Sequence, residues 1–175
     1  MEGILNAQKS DLERVIGVNL VGGFLGAKHA ARVMVPRGPG CKLFTASACT
    51  SIAGMSTHSY ASSKHAVVGL AKNLAAELGL LGINVCPRSN LSCNQLSTNI
   101  GQELADFTPK VEAILNEVGN LKGTVLKASD VARAAHFLAS DEATYVSGLN
   151  LGVDGRYSVV NPSIVVAVRS SLLHA

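Results

Sequence analysis

Helical and strand-like segments alternate along this chain, and that alternation limits its possible folds more than any other feature. Apolar residues recur at helical spacing over 10–34, 60–78 and 129–138, and short, largely apolar runs occupy 42–46, 83–86 and 149–153. We interpret these short runs as strands buried on both faces rather than as alternating, half-buried strands. Helices that alternate with such strands favour a parallel sheet covered by helices. The sequence therefore predicts an α/β fold.

Capping and breaking residues indicate where these elements end. Ser10-Asp-Leu-Glu13 has the spacing of a capping box and predicts that the first helix begins there. Pro and Gly residues over 36–40 end it near Met34. Gly79 is the predicted C-cap of the second helix. Either Ser129 or Asp130 is expected to cap the helix that runs to Leu138, and a further helix is expected over 110–118.

Charge and composition exclude several classes of function. Lys and Arg number 15 and Asp and Glu 12, which gives a net charge of +3, and the basic residues are scattered among acidic ones. Such a pattern does not form the basic stripe of a nucleic-acid-binding protein. Trp is absent and aromatic residues make up 4% of the chain, so platforms for base stacking are lacking. The longest apolar run, 17–27, is much shorter than the roughly 20 residues of a membrane-spanning helix, so no membrane span is predicted.

Cysteine and histidine spacings indicate neither disulfides nor a metal site. The cysteines form no CxxC motif, and the first residues show no basic stretch followed by an apolar core, as a signal peptide would. We therefore expect reduced thiols and a cytoplasmic location. The five histidines show no HxH or HExxH spacing, so no metal ligands are predicted.

Four residues are candidates for chemistry. Tyr60 and Lys64 are four residues apart on one helical face, where a fixed cation would stabilise a phenolate. This spacing predicts a lowered pKa for Tyr60 and an acid or base that works near neutral pH. Ser47 follows a predicted strand, at the edge where parallel sheets present reactive groups, and its hydroxyl can polarise a carbonyl. Asn19 is polar within an apolar helix; its alternative interpretation is an ordinary exposed or back-bonded asparagine.

Together these residues resemble the catalytic tetrad of the classical short-chain dehydrogenases/reductases. They occur in the frames Val18-Asn-Leu-Val-Gly22, Thr45-Ala-Ser47 and Tyr60-Ala-Ser-Ser-Lys64. The flanking segments 27–34, 63–70, 120–124 and 145–151 resemble the secoisolariciresinol dehydrogenase-like branch. The resemblance runs from about residue 4 to Tyr157. It implies a partial Rossmann-type, doubly wound parallel sheet, with 1–159 as the C-terminal portion of that domain and 160–175 as a tail.

The resemblance also implies a reaction, namely hydride transfer between NAD or NADP and a secondary alcohol or ketone on a lipophilic small molecule. Tyr60 would be the general acid or base, and Ser47 would hold the substrate oxygen. Lys64 would lower the pKa of Tyr60 and bind the nicotinamide ribose, while Asn19 would hold a water in the proton relay. Pro87 is assigned to cofactor binding as the counterpart of a Pro-Gly turn, although it comes earlier than in the family and no Gly follows it.

The chain departs from the family where the cofactor phosphates would bind. Gly22-Gly23-Phe-Leu-Gly26 does not have the GxGxxG spacing, follows no strand and falls inside a predicted helix. By resemblance the chain starts just before the family's fourth helix, so the first βαβ half is expected to be absent. The residue that selects NAD or NADP would be absent with it, which leaves the cofactor preference open. Near the end of the match, Arg156 stands where relatives usually have a second Gly.

Three interpretations of function stay open. The intact tetrad favours an oxidoreductase, whereas the missing phosphate-binding half favours a catalytically silent, truncated paralogue that dimerises with a complete relative. A truncated or misassembled reading frame is the third. In the family, the helices that match 11–34 and 60–78 form the main dimer interface, so a homo-oligomer or hetero-oligomer is expected through them. Small residues on these helices either allow close approach of a partner or only pack on the sheet; they are Gly22, Gly26, Ala30, Ala66 and Gly69.

Overall fold

The computed structural model describes residues 3–54, 56–90 and 120–159 of the chain. Within these residues three parallel strands lie side by side in the order β1-β2-β3. Their bounds are Gly40–Thr45 for β1, Ile83–Asn90 for β2 and Leu151–Val153 for β3. The predicted α/β class and parallel sheet are confirmed.

Helices occupy both faces of this sheet. Their bounds are Lys9–Ile16 for α1, Gly22–Met34 for α2, His58–Gly79 for α3 and Ala128–Ala139 for α4. A π-helical segment, Gly17–Val21, joins α1 to α2 without a break, so the first predicted helix is one rod with a π turn inside it. The predicted helix over 110–118 and the tail 160–175 lie outside the described residues.

Three predicted helix ends are wrong by one to three residues. The first helix has Gln8 as its N-cap without a side-chain cap, so Ser10 already lies in the first turn and forms no capping box. Gly79 is the last residue of α3 rather than its cap, and the left-handed turn that leads into β2 comes at Gly82, with φ of +74°. At the start of α4, Asp130 accepts a hydrogen bond from the backbone N–H of Lys127 at 2.7 Å. Lys127 is therefore the N-cap, and Asp130 acts from inside the first turn.

The pleat of the strands divides the apolar side chains between the two helical layers. Phe44, Ile83 and Val85 belong to a core cluster with residues of α2 and α3, including Ala27 and Val67. Complete burial of a side chain such as Ile83 stabilises the fold by about 1.5–3 kcal/mol. The sheet is thus anchored to α3 on this face.

Cysteine side chains occupy the opposite face, which α4 covers. The Cys41 thiol donates to the backbone carbonyl of Leu138 at 3.2 Å, and the Cys86 thiol donates to that of Val146 at 3.4 Å. Burial raises the pKa of both thiols. Cys41, Cys49 and Cys86 are free cysteines, and Cys93 lies outside the described residues.

Pro87 is a fully buried residue of β2, opposite Phe44 of β1. The N–H and C=O of Val85 bond to Ser147 and Gly148, on the side away from β1. Peptide groups alternate along a strand, so the nitrogen of Pro87 faces that side as well. The β1–β2 ladder therefore loses no hydrogen bond at this proline.

No helix in the described ranges is both long enough and apolar enough to cross a membrane.

Candidate active site

Ser47 lies two residues beyond the carboxyl end of β1, as predicted. It is buried and extended, and it is the N-cap of a single 3-10 turn, Ala48–Thr50, in which its hydroxyl oxygen accepts the backbone N–H of Cys49 at 3.4 Å. Its side chain also forms a hydrogen bond with the Tyr60 phenol. The hydroxyl is therefore held at the edge of the sheet and directed at the predicted acid or base.

Tyr60 comes to this edge because α3 begins nearby. The Thr57 hydroxyl caps that helix by accepting the backbone N–H of Tyr60 at 3.4 Å. The phenol thus lies in the first turn of a long helix whose following turns are packed on β1 and β2. A residue near the start of such a helix has little freedom to move away from Ser47.

The predicted lowering of the Tyr60 pKa is wrong for this structure. Burial raises the pKa of the Tyr60 phenol, the hydrogen bond with Ser47 opposes that rise, and the neighbouring Cys49 thiol adds to it. Burial prevails because a phenolate loses more water than one neutral hydroxyl replaces. At neutral pH the phenol therefore keeps its proton.

Lys64 lies beside the phenol ring rather than free in solvent. Its Nζ is 5.5 Å from the centroid of the Tyr60 ring, within the range of a cation–π contact, and it donates to the Thr45 carbonyl at the end of β1 at 3.0 Å. Burial lowers the pKa of the Lys64 ammonium, and Cys49 partly opposes this. The same helical face thus brings both groups to the carboxyl edge of β1, as the spacing predicts.

Asn19 occupies the π-helical segment and reaches α3. Its side-chain nitrogen donates to the Ser63 hydroxyl at 3.0 Å, and that hydroxyl donates to the Tyr60 carbonyl at 2.7 Å. Ser63 is fully buried. Asn19 is therefore neither exposed nor back-bonded, and it links the π segment to the turn that carries Tyr60. π-helical turns within α-helices are frequent at functional sites.

Three further residues of the site carry no recognisable signal in the sequence. Cys49, Thr50 and Asn150 surround Ser47, and Asn150 donates to the Thr50 hydroxyl at 3.3 Å from a position 100 residues away in the chain. No local motif indicates a contact between positions so far apart, so the part of Asn150 in the site could be found only from the fold.

A cavity of about 660 Å³ opens beside this group of residues. Its lining is mixed: the apolar side chains of Leu121, Leu126, Val153 and Val159 lie together with polar and charged ones that include Ser51, Asn150, Asp130, Asp154 and Arg156. Asn150 therefore joins the cavity wall to the loop that carries Ser47. Small-molecule sites are usually concave pockets that combine apolar side chains with polar groups.

The structure brings Asn19, Ser47, Tyr60 and Lys64 into one hydrogen-bonded neighbourhood, while Pro87 lies inside β2. Within the described part of the chain, no group of three or more His, Cys, Asp or Glu side chains is placed to hold a metal ion.

Comparison with known proteins identifies relatives of this chain. Residues 1–158 match the model of a family described as Enoyl-(Acyl carrier protein) reductase. The chain is 54% identical to tropinone reductase-like 2 from Erythroxylum coca over 97% of its length and 62% of the relative's. It is 55% identical to (+)-borneol dehydrogenase 1 from Salvia officinalis, over 91% and 60% of the two chains. It is 48% identical to secoisolariciresinol dehydrogenase from Forsythia intermedia, over 93% and 58%.

Solved structures of dehydrogenases also align with this chain, at lower sequence identity. A short-chain type dehydrogenase/reductase from Mycobacterium marinum aligns with a TM-score of 0.76 at 29% identity, covering 91% of this chain and 61% of that one. A 4-hydroxyisoleucine dehydrogenase complexed with NADH aligns with a TM-score of 0.72 at 25% identity, covering 90% and 64%. The chain thus spans about 60% of the length of the curated relatives named above. The family match, the relatives and the shared fold show that this chain belongs to the short-chain dehydrogenase/reductase family.

Proposed function

We propose that this chain carries the reacting side chains of an NAD(P)-dependent oxidoreductase that interconverts a secondary alcohol and a ketone on a lipophilic small molecule. The observation that carries the proposal is the hydrogen bond between the Ser47 hydroxyl and the Tyr60 phenol, with the Lys64 ammonium over the same ring. Two hydroxyl donors that meet at the carboxyl edge of a parallel sheet can bind one carbonyl oxygen between them.

The raised pKa of Tyr60 supports an acid role for this residue. A phenol that stays protonated at neutral pH can donate its proton to the oxygen of a ketone as that oxygen gains charge. Ser47 would hold the same oxygen through its own hydroxyl. In the opposite direction the phenolate would accept the alcohol proton, with the charge of Lys64 nearby to stabilise it.

The described residues include candidates for contact with one part of NAD(P), the nicotinamide ribose. By resemblance to the family, Lys64 and Tyr60 would hold the nicotinamide ribose, which is supported by their contact with each other at the end of β1, and the bound cofactor would accept or supply the hydride. Pro87 is buried in the neighbouring strand, so any contribution from this position would come through the backbone after it. Gly22, Gly23 and Gly26 lie within α2 and do not form a phosphate-binding turn. The NADH complex of the 4-hydroxyisoleucine dehydrogenase supports a nicotinamide cofactor, and the preference between NAD and NADP stays open.

The Leu and Val side chains in the lining of the cavity support a lipophilic substrate. These side chains would exclude water from the substrate body. Ser47 and Tyr60 are not among the residues that line the cavity; Ser47 is connected to its wall through Thr50 and Asn150, and the two hydroxyls would bind the oxygen of a substrate that extends to them. The relatives named for borneol and secoisolariciresinol support an alcohol or ketone as the reacting group. The free thiols of Cys41, Cys49 and Cys86 support a reducing compartment such as the cytoplasm.

Calorimetric titration of the purified chain with NADH and with NADPH tests the cofactor site. Saturable binding of either, followed by cofactor-dependent turnover of lipophilic alcohols that is lost in Tyr60→Phe, is the expected result. Phenylalanine keeps the ring under Lys64 and removes only the hydroxyl, so it is the matched control for the acid role. A folded chain that binds neither cofactor would contradict the proposal.

A second candidate function is that of a catalytically silent partner of a complete relative. Two small residues on the helices favour it, because a methyl group added at Gly26 or Gly69 would meet no atom within 4 Å. These two glycines therefore do not pack on the sheet, whereas Gly23 does approach the Phe44 ring. Co-purification with a complete relative as a stable hetero-oligomer, without cofactor binding by this chain, would support this candidate over the first.

A further inference from the structure

The backbone of Ser47 is held by Thr50 through two hydrogen bonds. The Thr50 hydroxyl donates to the Ser47 carbonyl at 2.7 Å, and the Thr50 backbone N–H donates to the same oxygen at 2.9 Å. The second bond belongs to the 3-10 turn, but the first depends on the side chain. One of the two bonds that hold the Ser47 carbonyl is therefore lost when residue 50 lacks a hydroxyl in this orientation.

Asn150 determines that orientation from across the sheet. Its side-chain nitrogen donates to the Thr50 hydroxyl oxygen at 3.3 Å. A hydroxyl has one proton to donate, and Thr50 has committed it to Ser47, so the bond from Asn150 uses its lone pair. Asn150 directly precedes β3, which is paired with β2. The loop after β1 is thus tied to β3, beyond the intervening strand.

We infer that Thr50 and Asn150 are positioning residues that hold the Ser47 hydroxyl against the Tyr60 phenol. The inference rests on the proposed function for its catalytic meaning, while the geometry stands on the described contacts alone. Neither residue needs to touch the reacting atoms, because each acts through a series of contacts that we call the relay. Their effect passes from Asn150 through the Thr50 hydroxyl to the Ser47 backbone, and from the Ser47 side chain to the phenol.

The test uses a readout that a purely structural role would not change. The hydrogen bond from Ser47 lowers the pKa of Tyr60, against the rise caused by burial. Loss of the relay should therefore raise the pKa of Tyr60 further, in the same direction as Ser47→Ala. The full chain labelled with ¹³C at tyrosine Cζ would be titrated by NMR, with the Tyr60 signal assigned by its absence in Tyr60→Phe.

Matched variants separate the relay from a general loss of hydroxyls. Thr50→Val removes the hydroxyl at nearly constant shape, Thr50→Ser restores it, and Asn150→Ala removes the donor. Thr144→Val is the control, because the Thr144 hydroxyl also bonds the carbonyl three residues before it, in a 3-10 turn away from Ser47. We expect a higher Tyr60 pKa in Thr50→Val and Asn150→Ala, and a wild-type value in Thr50→Ser and Thr144→Val.

Kinetics provide the second readout where the chain turns over substrate. Thr50→Val should lower kcat by about tenfold to a hundredfold, as expected for a misplaced reacting group, and leave KM within about twofold. Folded Thr50→Val and Asn150→Ala variants with a wild-type Tyr60 pKa would overturn the inference. A wild-type chain without turnover would refute the proposed function, and the NMR titration would still decide whether the relay positions Ser47.

Discussion

Arg156 has a backbone conformation that side chains rarely adopt, and this strain leads to a test at the scale of one residue. Its φ of 68° is left-handed, which costs an L-residue about 1–2 kcal/mol relative to glycine. Arg156→Gly removes this strain, but glycine loses more entropy on folding. The net effect should be a rise in the free energy of unfolding of about 0.5–1 kcal/mol. Urea denaturation measures it. Arg156→Ala is the control, since alanine keeps the strain, and an equal gain from alanine would show that the arginine side chain is responsible instead.

The half-buried phenol of Tyr60 predicts a loss of stability at high pH. A group whose pKa is higher in the folded state stabilises that state fully below its unfolded pKa of 10.0, and this stabilisation is lost as pH rises through the folded pKa. The free energy of unfolding of the wild type, minus that of Tyr60→Phe, should therefore fall above pH 10. Urea denaturation at a series of pH values measures this difference.

A matched control for this pH dependence is Tyr145→Phe. The Tyr145 side chain is fully exposed, so water surrounds it in both the folded and the unfolded state. The corresponding difference for Tyr145→Phe should stay constant over the same range. An equal decline in both variants would attribute the effect to the unfolded chain rather than to burial of Tyr60.

At this scale the sequence predicts those site residues that share an element or follow one directly. Tyr60 and Lys64 are four apart on α3, and Ser47 follows β1, so spacing alone brings them to one edge. The direction of the Tyr60 pKa could not be predicted in the same way, since it depends on burial by side chains from elsewhere in the chain. Thr50 and Asn150 are likewise paired only by the fold.

Among the elements, the π-helical segment depends on a polar contact with α3. Asn19→Ala should lower the free energy of unfolding by about 1–2 kcal/mol, because it leaves the fully buried Ser63 hydroxyl without the donor at 3.0 Å. The double variant Asn19→Ala/Ser63→Ala should lose less than the sum of the single variants, by about 0.5–1.5 kcal/mol. Thermal and urea denaturation of the four proteins give this coupling energy.

Asn84 offers the control for this coupling. Its side-chain nitrogen donates to the Thr144 carbonyl, so it has no part in the contact between Asn19 and Ser63. Asn84→Ala combined with Ser63→Ala should therefore be additive. A coupling of the same size in both pairs would mean that Ser63→Ala disturbs the sheet generally.

Element types were predictable from the sequence, whereas their ends and the π turn were not. The apolar periods identify the helices and strands because burial decides those positions. Helix ends depend on single hydrogen bonds, and Gln8 and Lys127 precede the first helical residues although the sequence offers Ser10 and Ser129 two residues later. The π turn adds one residue to a helical turn without changing which residues are apolar, so no period reveals it.

For the molecule as a whole, exposed apolar residues on the helix of residues 9–34 predict self-association. Val18, Val21 and Leu25 lie at helical spacing on one face and are 71%, 47% and 44% exposed. Gly26 on the same helix and Gly69 on α3 have open space around them, so a second helix can approach closely there. Surface of this kind is commonly covered by a partner chain. We therefore expect the wild-type chain to sediment as a dimer.

A charge placed within this face should dissociate the dimer. Leu25→Glu would bury a carboxylate against apolar side chains on association, at a cost large enough to raise the dissociation constant at least about tenfold. Analytical ultracentrifugation over a dilution series measures it. Leu5→Glu is the matched control, since Leu5 is 96% exposed and precedes the helix, and it should leave the dimer intact. If the wild type is monomeric at every concentration, this face is covered by another protein or by solvent and not by a second copy of the chain. If both variants dissociate the dimer equally, the contact lies outside α2.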